Sequence, residues 1–231
     1  MGMKFLLTND DGIEAPGLSA LAEAAAGFGT VSVVAPVECH SGCSHQVTTH
    51  RPLRVESRGP GLAAVVGTPA DCVRVGLVRV APDAEWVLAG INAGGNLGAD
   101  VYLSGTVAAV REAVLLGKPG IAFSYYRNRE LDFDWPRAGR WVRRLLPDLL
   151  RQEWEPGVFW NVNLPHMPPE APDPEAVRCR LDPHPLPVSY REEGDDLYYD
   201  GNYHGRRCEP GCDVDVCFGG RIAVTHLNLF D

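Results

Sequence analysis

The stretch MKFLLTNDDGIEAPG (residues 3–17) starts as an apolar run and then places two carboxylates side by side. Residues 4–8 predict a buried strand, and Pro16 stands where a helix can begin, because its missing N–H costs nothing there. Apolar side chains follow at helical spacing, and a second apolar run, TVSVVAP (residues 30–36), predicts another strand. This order predicts a β-α-β unit, which implies a parallel sheet with a right-handed crossover.

The same alternation of apolar runs and helical spacings continues up to Pro165. It predicts an α/β core over residues 1–165, in which helices cover a parallel sheet. Further strands are predicted over 84–92, 120–124 and 158–165, and further helices within 104–120 and 136–151, the second disturbed at Pro147.

After Pro165 prolines become frequent and helical spacing is lost. The runs DLYYDGNYHG (residues 196–205) and DVDVCFGGRIAV (residues 213–224) suggest β-hairpins or an extended arm. We therefore predict two parts, an α/β core over 1–165 and a β-rich appendage over 166–231.

The composition is that of a globular protein able to build a core. Of 231 residues, 45% are hydrophobic and 22% are charged, with a formal net charge of −9. An acidic surface argues against a large nucleic acid partner, but a metal can still reverse the local sign for a small anionic substrate. No apolar run approaches the roughly 18 residues of a membrane span, so we expect no membrane association. Seven cysteines and no visible export signal predict reduced thiols and a cytoplasmic location.

Three polar clusters directly follow or closely trail predicted strands. They are Asn9–Asp11, Cys39–His45, and Asn92 with the glycine-rich run behind it. In a parallel sheet, ligands bind beyond the carboxyl ends of the strands. If the strands are neighbours, the three clusters meet at one edge of the sheet.

Asp10 and Asp11 repel each other unless something compensates their charge. A hard divalent ion would do so, since Mg²⁺, Mn²⁺ and Ca²⁺ prefer carboxylate, hydroxyl and amide oxygens. The alternative is structural: Asp10 caps the following helix and Asp11 is a solvated turn residue.

The run SGT (residues 104–106) predicts the start of a helix. Ser104 or Thr106 can be its N-cap, and the free N–H groups there favour an anion such as phosphate, although plain capping explains the same residues. Similarly, Thr68 and Asp71 either form a structural turn or line the site. The glycines of GINAGGNLG (residues 90–98) do not follow the dinucleotide-binding spacing.

Cysteine and histidine side chains crowd around Ser41. Such ligands suit zinc, but their spacing is not that of a zinc finger. The residues concerned are Cys39, His40, Cys43 and His45.

Ordered motifs resemble one known family, the SurE family of stationary-phase survival proteins, which are metal-dependent 5′/3′-nucleotidases. The resemblance covers roughly residues 3–124, and PGCDVDVCFGGRIAVTHL (residues 210–227) is more loosely similar to the family's closing segment. The motifs are LLTNDDGIEAPGL, APVECHSGCS, GTPADCV and GINAGGNLGADVYLSGTVAAVREA.

The resemblance implies a Rossmann-like α/β core with an exchanged β-rich C-terminal arm, and a homodimer or homotetramer assembled through it. It also implies one divalent metal, Mg²⁺ or Mn²⁺, with Ca²⁺ able to occupy the same site. The implied metal ligands are Asp10, Asp11, Ser41 and Asn92. The residues implied around the substrate phosphate are Asn96, Ser104, Gly105 and Thr106.

The chain departs from the family pattern in the loop before and after Ser41. The family usually has an acidic and a basic residue followed by Asn-Arg, where this chain has VECH (residues 37–40). A small residue is usual where this chain has Cys43. These changes bear on substrate preference more than on metal binding.

Together the motifs predict a phosphomonoesterase that converts nucleoside 5′- and 3′-monophosphates to nucleoside and phosphate. Asp10 and Asp11 are the expected catalytic residues, with Asp10 as the base or nucleophile and Asp11 mainly a ligand. Three alternatives stay open: a phosphatase that forms an aspartyl phosphate, a non-catalytic nucleotide- or metal-binding protein, and a divalent-metal nucleoside hydrolase. The first usually needs D-x-D spacing, which NDDG lacks.

Overall fold

A computed structural model of the protein describes residues 2–128 and 130–230. The strands are β1 (Met3–Thr8), β2 (Gly29–Pro36), β3 (Arg54–Gly59), β4 (Leu62–Val66), β5 (Trp86–Asn92), β6 (Gly120–Tyr125), β7 (Val158–Leu164), β8 (Ala176–Cys179), β9 (Tyr190–Glu193), β10 (Asp196–Tyr199) and β11 (Ile222–Asn228). The helices are α1 (Pro16–Ala26), α2 (Pro69–Val75), α3 (Asp100–Leu103), α4 (Gly105–Leu115), α5 (Trp135–Leu150) and α6 (Asp213–Phe218), and a π-helical turn (Gly76–Val80) follows α2.

Nine of these strands form one sheet in the order β3-β4-β2-β1-β5-β6-β7-β11-β8. The six from β4 to β7 are mutually parallel, whereas β3 pairs antiparallel with β4, and β11 pairs antiparallel with β7 and parallel with β8. When these six parallel strands are numbered by their order in the chain, they lie side by side in the order 3-2-1-4-5-6, which is that of a Rossmann-like fold. The order reverses between β1 and β5, so the crevice where such folds bind ligands lies beyond these two strands.

Helices cover both faces of the sheet. Successive residues of β1 point to opposite faces, so its apolar side chains pack against helices on both sides. Phe5 and Leu7 pack with α1 and α5 on one face, and Leu6 packs with α2 and α4 on the other. Each of these three side chains is almost fully buried. The predicted α/β class with a parallel, Rossmann-like sheet is therefore confirmed.

Gly17 allows α1 to approach the end of β5. A Cβ atom at this position would lie 2.0 Å from the carbonyl oxygen of Ile91 and 2.9 Å from the Trp135 ring. No side chain fits against a backbone oxygen at that distance, so only glycine permits the contact. The contact fixes the residues just before Asn92 relative to the loop that carries Asp10 and Asp11.

Two local predictions need correction, and one hairpin was missed. Residues 213–218 form a short helix rather than part of a hairpin, and α5 runs through Pro147 without a break. The hairpin of β3 and β4 was not predicted, because its residues alternate only weakly between apolar and polar.

The segment after Pro165 contributes to two different structures. Strands β8 and β11 pair with each other and, through β7, extend the central sheet. Strands β9 and β10 pair only with each other, and every residue in them is exposed. The predicted arm thus corresponds to a hairpin inserted in a segment that completes the core sheet.

None of the helices in the described ranges has both the length and the apolar character that a bilayer crossing requires.

Candidate active site

The polar loops after β1, β2 and β5 meet around one cleft at the carboxyl edge of the sheet. The cleft has a volume of about 210 Å³. All four predicted metal ligands line it, as do Asn96 and Ser104 from the predicted phosphate-binding set. The lining residues are Asp10, Asp11, Ser41, Gly42, Asn92, Ala93, Gly95, Asn96, Asp100, Leu103 and Ser104.

Asp10 is the buried member of the carboxylate pair, with 4% of its surface exposed. Its Oδ1 accepts a hydrogen bond from the Thr106 hydroxyl, and its backbone oxygen accepts one from the His40 amide at 2.7 Å. Burial raises the pKa of Asp10 from 3.8 to about 6, the Thr106 hydrogen bond opposes this rise, and the charge of Asp11 adds to it. The chain therefore holds a carboxylate in a place that favours its neutral form.

Asp11 is half-buried and faces the loop after β5. Its Oδ2 accepts a hydrogen bond from the backbone amide of Ala93 at 2.9 Å. Burial raises the pKa of this carboxyl as well, although the Ala93 hydrogen bond lowers it. The Asp11 carboxylate thus connects the loops after β1 and β5 through Oδ2, and its Oδ1 is available to bind a ligand.

Ser41 and Asn92 supply neutral oxygens to the same cleft. Ser41 lies in a tight turn that is closed by the Cys43 amide donating to the His40 carbonyl at 3.2 Å. Gly42 has a φ of +73° in this turn, a conformation that glycine adopts most easily. The side-chain amide nitrogen of Asn92 donates to the Gly94 carbonyl at 2.8 Å, which leaves its amide oxygen for a ligand.

This donor set fits a divalent cation that prefers oxygen. Two carboxylates, one hydroxyl and one amide oxygen are ligands typical of Mg²⁺ and Mn²⁺. A cation would also compensate the charge of Asp10, which burial alone disfavours. Within residues 2–128 and 130–230, no group of three or more His, Cys, Asp or Glu side chains is arranged to hold a metal, so the proposed site depends on the neutral oxygens of Ser41 and Asn92 as well as on the two carboxylates.

The start of α4 packs directly against Asp10. Ser104 is its N-cap, with Oγ accepting a hydrogen bond from the Val107 amide at 3.0 Å, while the Thr106 hydroxyl is directed to Asp10. The sequence left the choice between these two caps open. Because the positive end of the α4 dipole lies beside the carboxylates, it offsets part of the cost that burial adds to their negative charge.

Asn96 is fixed by a group of buried polar side chains that the sequence reasoning missed. Its side-chain nitrogen donates to Ser124 Oγ at 2.7 Å, and its backbone amide donates to Asn163 Oδ1 at 2.8 Å. Its backbone oxygen accepts hydrogen bonds from Asn161 and Asn163. Two asparagines at alternate positions of an apolar strand could have indicated this role, since buried amides need partners.

Asp100 is a third carboxylate of the cleft that the sequence reasoning did not single out. Its Oδ2 accepts hydrogen bonds from Tyr203 Oη at 2.6 Å, Arg206 Nη1 at 3.1 Å and the Leu97 amide at 3.2 Å. Its Oδ2 thus accepts three hydrogen bonds from the protein, compared with one at Asp11. The loop after β10 is thereby attached to the cleft.

Thr68 and Asp71 form a capping box at the start of α2 and do not line the cleft. They hold the loop that follows Ser41. Thr68 Oγ1 donates to the Gln46 carbonyl at 2.6 Å, and Asp71 Oδ1 accepts from the Thr48 amide at 2.8 Å. Their contribution to the site is indirect.

Replacement of Gly105 by alanine should disturb the carboxylate pair without unfolding the protein. A Cβ atom there would lie 2.9 Å from the Asp10 Cβ and 3.0 Å from Cys43 Sγ, so Asp10 must shift. We expect kcat/KM for a phosphomonoester to fall between about tenfold and 100-fold, the range for a small misplacement of a reacting group. Steady-state kinetics and a thermal melt test this. Unchanged kinetics would mean that the position of Asp10 is not critical.

The order of the sheet and the acidic cleft at its reversal point define an α/β protein of the Rossmann-like class with a ligand site between β1 and β5. The chain belongs to the SurE family, since the family model described as "Survival protein SurE" matches residues 5–181.

Relatives and a solved structure agree with this assignment. The chain is 52% identical over 227 residues to a protein of Nostoc sp. named "Putative 5'-nucleotidase alr3139", covering 98% of this chain and 100% of the relative. It is 39% identical to the 5'-nucleotidase SurE of Geobacter sulfurreducens, covering 98% and 88% of the two chains. The crystal structure of the SurE protein from Aquifex aeolicus superposes with a TM-score of 0.86 at 31% identity, covering 98% of this chain and 93% of that one.

Proposed function

We propose that the protein hydrolyses nucleoside 5′-monophosphates, and 3′-monophosphates in addition, in a reaction that depends on one divalent metal. The observation that carries this proposal is the meeting of Asp10, Asp11, Ser41 and Asn92 around one cleft beside the start of α4. The 5'-nucleotidase names of the relatives from Nostoc and Geobacter support the substrate class.

The four oxygen-bearing side chains are proposed to hold Mg²⁺ or Mn²⁺, with Ca²⁺ as a possible occupant. When bound, such an ion polarises a phosphoryl oxygen and lowers the pKa of a coordinated water. Asp11 is the more accessible carboxylate, and the Ala93 amide keeps it oriented. Asp10, whose Oδ1 accepts a hydrogen bond from the Thr106 hydroxyl, is proposed to take the proton of the attacking water.

Hydrolysis adds water to phosphorus and breaks the ester P–O bond, so that nucleoside and phosphate leave. The transition state needs positioning and compensation of charge more than covalent help. The start of α4, from Ser104 to Thr106, is proposed to face the phosphate with the positive end of its dipole. Asn96, fixed by Ser124 and Asn163, is proposed to contact the phosphate oxygens.

The decisive experiment measures phosphate release from 5′-AMP and 3′-AMP with Mg²⁺, Mn²⁺ or Ca²⁺, and with EDTA. We expect turnover with Mg²⁺ or Mn²⁺ and a loss of at least about 100-fold after chelation, because the ion supplies several kcal/mol of stabilisation. Restoration by added metal is the control for damage by the chelator.

The other outcomes identify the alternatives. Release of free base without phosphate would indicate a nucleoside hydrolase, and a trapped aspartyl phosphate on Asp10 would indicate a covalent phosphatase. Tight nucleotide binding without turnover under every metal would indicate a binding protein. Phosphate release that is unaffected by EDTA would contradict the proposed metal dependence.

The hairpin of β9 and β10 is proposed to mediate a homodimer or homotetramer. It exposes apolar side chains that no contact of the core covers, namely Val188, Tyr190, Leu197, Tyr198 and Tyr199. Light scattering after size-exclusion chromatography measures the assembly.

All seven cysteines are free thiols, which supports the proposal that the protein acts in a reducing compartment such as the cytoplasm.

A further inference from the structure

Four aromatic side chains cluster beside the cleft, and we call them the aromatic rim: Tyr126, Tyr203, His204 and Phe218. Tyr126 follows the end of β6, and the other three come from the segment after Pro165. Tyr126 Oη lies 2.7 Å from His204 Nδ1, and the rings of Tyr126 and Phe218 have centroids 4.6 Å apart. The metal and phosphate chemistry proposed above assigns these side chains no role.

The aromatic rim borders the cleft at Gly95. A Cβ atom on Gly95 would lie 3.5 Å from Tyr203 Oη and 3.6 Å from the Tyr126 ring. Gly95 also lines the cleft that contains the carboxylate pair. Leu97 Cδ1 is 3.4 Å from the same point, so Gly95 and Leu97 together lie between the proposed phosphate site and the two aromatic side chains.

One part of the aromatic rim is fixed and the other is accessible. Tyr203 Oη donates to Asp100 at 2.6 Å, and the Arg206 guanidinium lies 4.4 Å from the centre of the Tyr203 ring. Arg206 itself is buried and pairs with Asp100. These contacts attach the rim to the cleft, whereas Tyr126 remains half-buried and His204 exposed.

We propose that Tyr126 and His204 form the nucleobase-binding face of the cleft. The inference rests on the proposed nucleotidase function and names the part of the substrate that these residues contact. A nucleobase is a planar ring system, and stacking on an aromatic side chain accepts every base because each has a π face. In this proposal the phosphate lies at the carboxylate pair, and the base extends past Gly95, which lines the cleft, to the rim beside it. The site should therefore select for the presence of a base more than for its identity.

The test compares two substrates that differ only in the base, 5′-AMP and ribose 5-phosphate. Tyr126→Leu removes the ring, and we expect KM for 5′-AMP to rise about tenfold, as for loss of one stacked aromatic. KM for ribose 5-phosphate and kcat for both should stay within about twofold. Tyr126→Phe keeps the ring and loses only the hydrogen bond to His204, so it should restore the KM for 5′-AMP. Phe230→Leu is the matched control, because this exposed aromatic lies beside Gly157, before the start of β7, at the opposite edge of the sheet from the cleft.

A second measurement does not need turnover. Binding of adenosine, followed by calorimetry, should weaken about tenfold in Tyr126→Leu and remain unchanged in Tyr126→Phe. An equal rise of KM for both phosphates, or no rise for either, would overturn the inference and leave the nucleotidase proposal standing. Adenosine binding through Tyr126 by a protein that hydrolyses neither phosphate would uphold the inference and refute the nucleotidase proposal.

Discussion

Replacement of Asp11 by asparagine should lower kcat/KM for nucleoside 5′-monophosphates by at least about 1,000-fold, which corresponds to about 4 kcal/mol of transition-state stabilisation. Asparagine can still accept the hydrogen bond of the Ala93 amide, which Asp11 accepts at 2.9 Å, so the loop after β5 should keep its place. What the substitution removes is the negative charge that would hold the cation. Steady-state kinetics at saturating Mn²⁺, with metal affinity from calorimetry, measure both effects.

Asp100→Asn is the matched comparison, because it also neutralises a carboxylate that lines the cleft. The Asp100 carboxylate already accepts hydrogen bonds from Tyr203 and Arg206. Its neutralisation should therefore leave metal affinity nearly unchanged, whereas the free energy of unfolding should fall because the buried Arg206 loses its carboxylate partner. If Asp100→Asn abolished metal binding and Asp11→Asn did not, the proposed ligand set would be wrong.

The parallel core could be predicted from sequence because its strands are short apolar runs separated by helical spacings. The run before Asp10 is apolar at Phe5, Leu6 and Leu7, with only Thr8 polar among the residues that β1 buries, and the run before Asn92 is apolar along β5. The rule that ligands bind beyond strand ends then indicates which polar residues can belong to the site. No local pattern reveals the order of the strands in the sheet. The sequence therefore predicts that the three polar loops meet only if their strands are neighbours.

The contacts from the C-terminal segment could not be predicted. Asp100 accepts a hydrogen bond from Tyr203, 103 positions away, and Gly98 donates one to Asp213, 115 positions away. No spacing rule links residues at such separations. The hairpin of β3 and β4 was missed for a different reason, since β3 has no fully buried residue.

The unusual loop at residues 37–43 keeps the cleft intact because its anchors are backbone groups. The His40 amide donates to the Asp10 carbonyl, and the Cys43 amide closes the turn that carries Ser41. Neither contact depends on the side chains by which this chain differs from the family pattern. The side chains that do differ lie around Ser41, where Cys39 Sγ is 3.0 Å from Ser41 Oγ. The departures from the family pattern therefore change the side chains around the Ser41 hydroxyl, whereas the backbone hydrogen bonds that position Ser41 are kept.

Replacement of Asp10 by asparagine should make the metal-free protein more stable at neutral pH. Burial raises the folded-state pKa of Asp10 from the ordinary value of 3.8 to about 6. The folded protein therefore binds more protons than the unfolded chain between about pH 4 and 6, and the contribution of Asp10 to stability is lost as the pH rises through that window. Above it, the charged carboxylate costs about 2 to 3 kcal/mol, which the neutral amide avoids.

The measurement is urea unfolding of both proteins in EDTA across this pH range. The advantage of Asp10→Asn should be near zero at about pH 4 and reach about 2 kcal/mol at pH 8, and saturating Mn²⁺ should reverse it because the cation compensates only a carboxylate. Asp83→Asn is the control of opposite sign, since its exposed carboxylate pairs with Lys4, which lowers the pKa of Asp83. A metal-free Asp10→Asn protein that is less stable at pH 8 would show that neighbouring groups of the chain, and not a cation, compensate this charge.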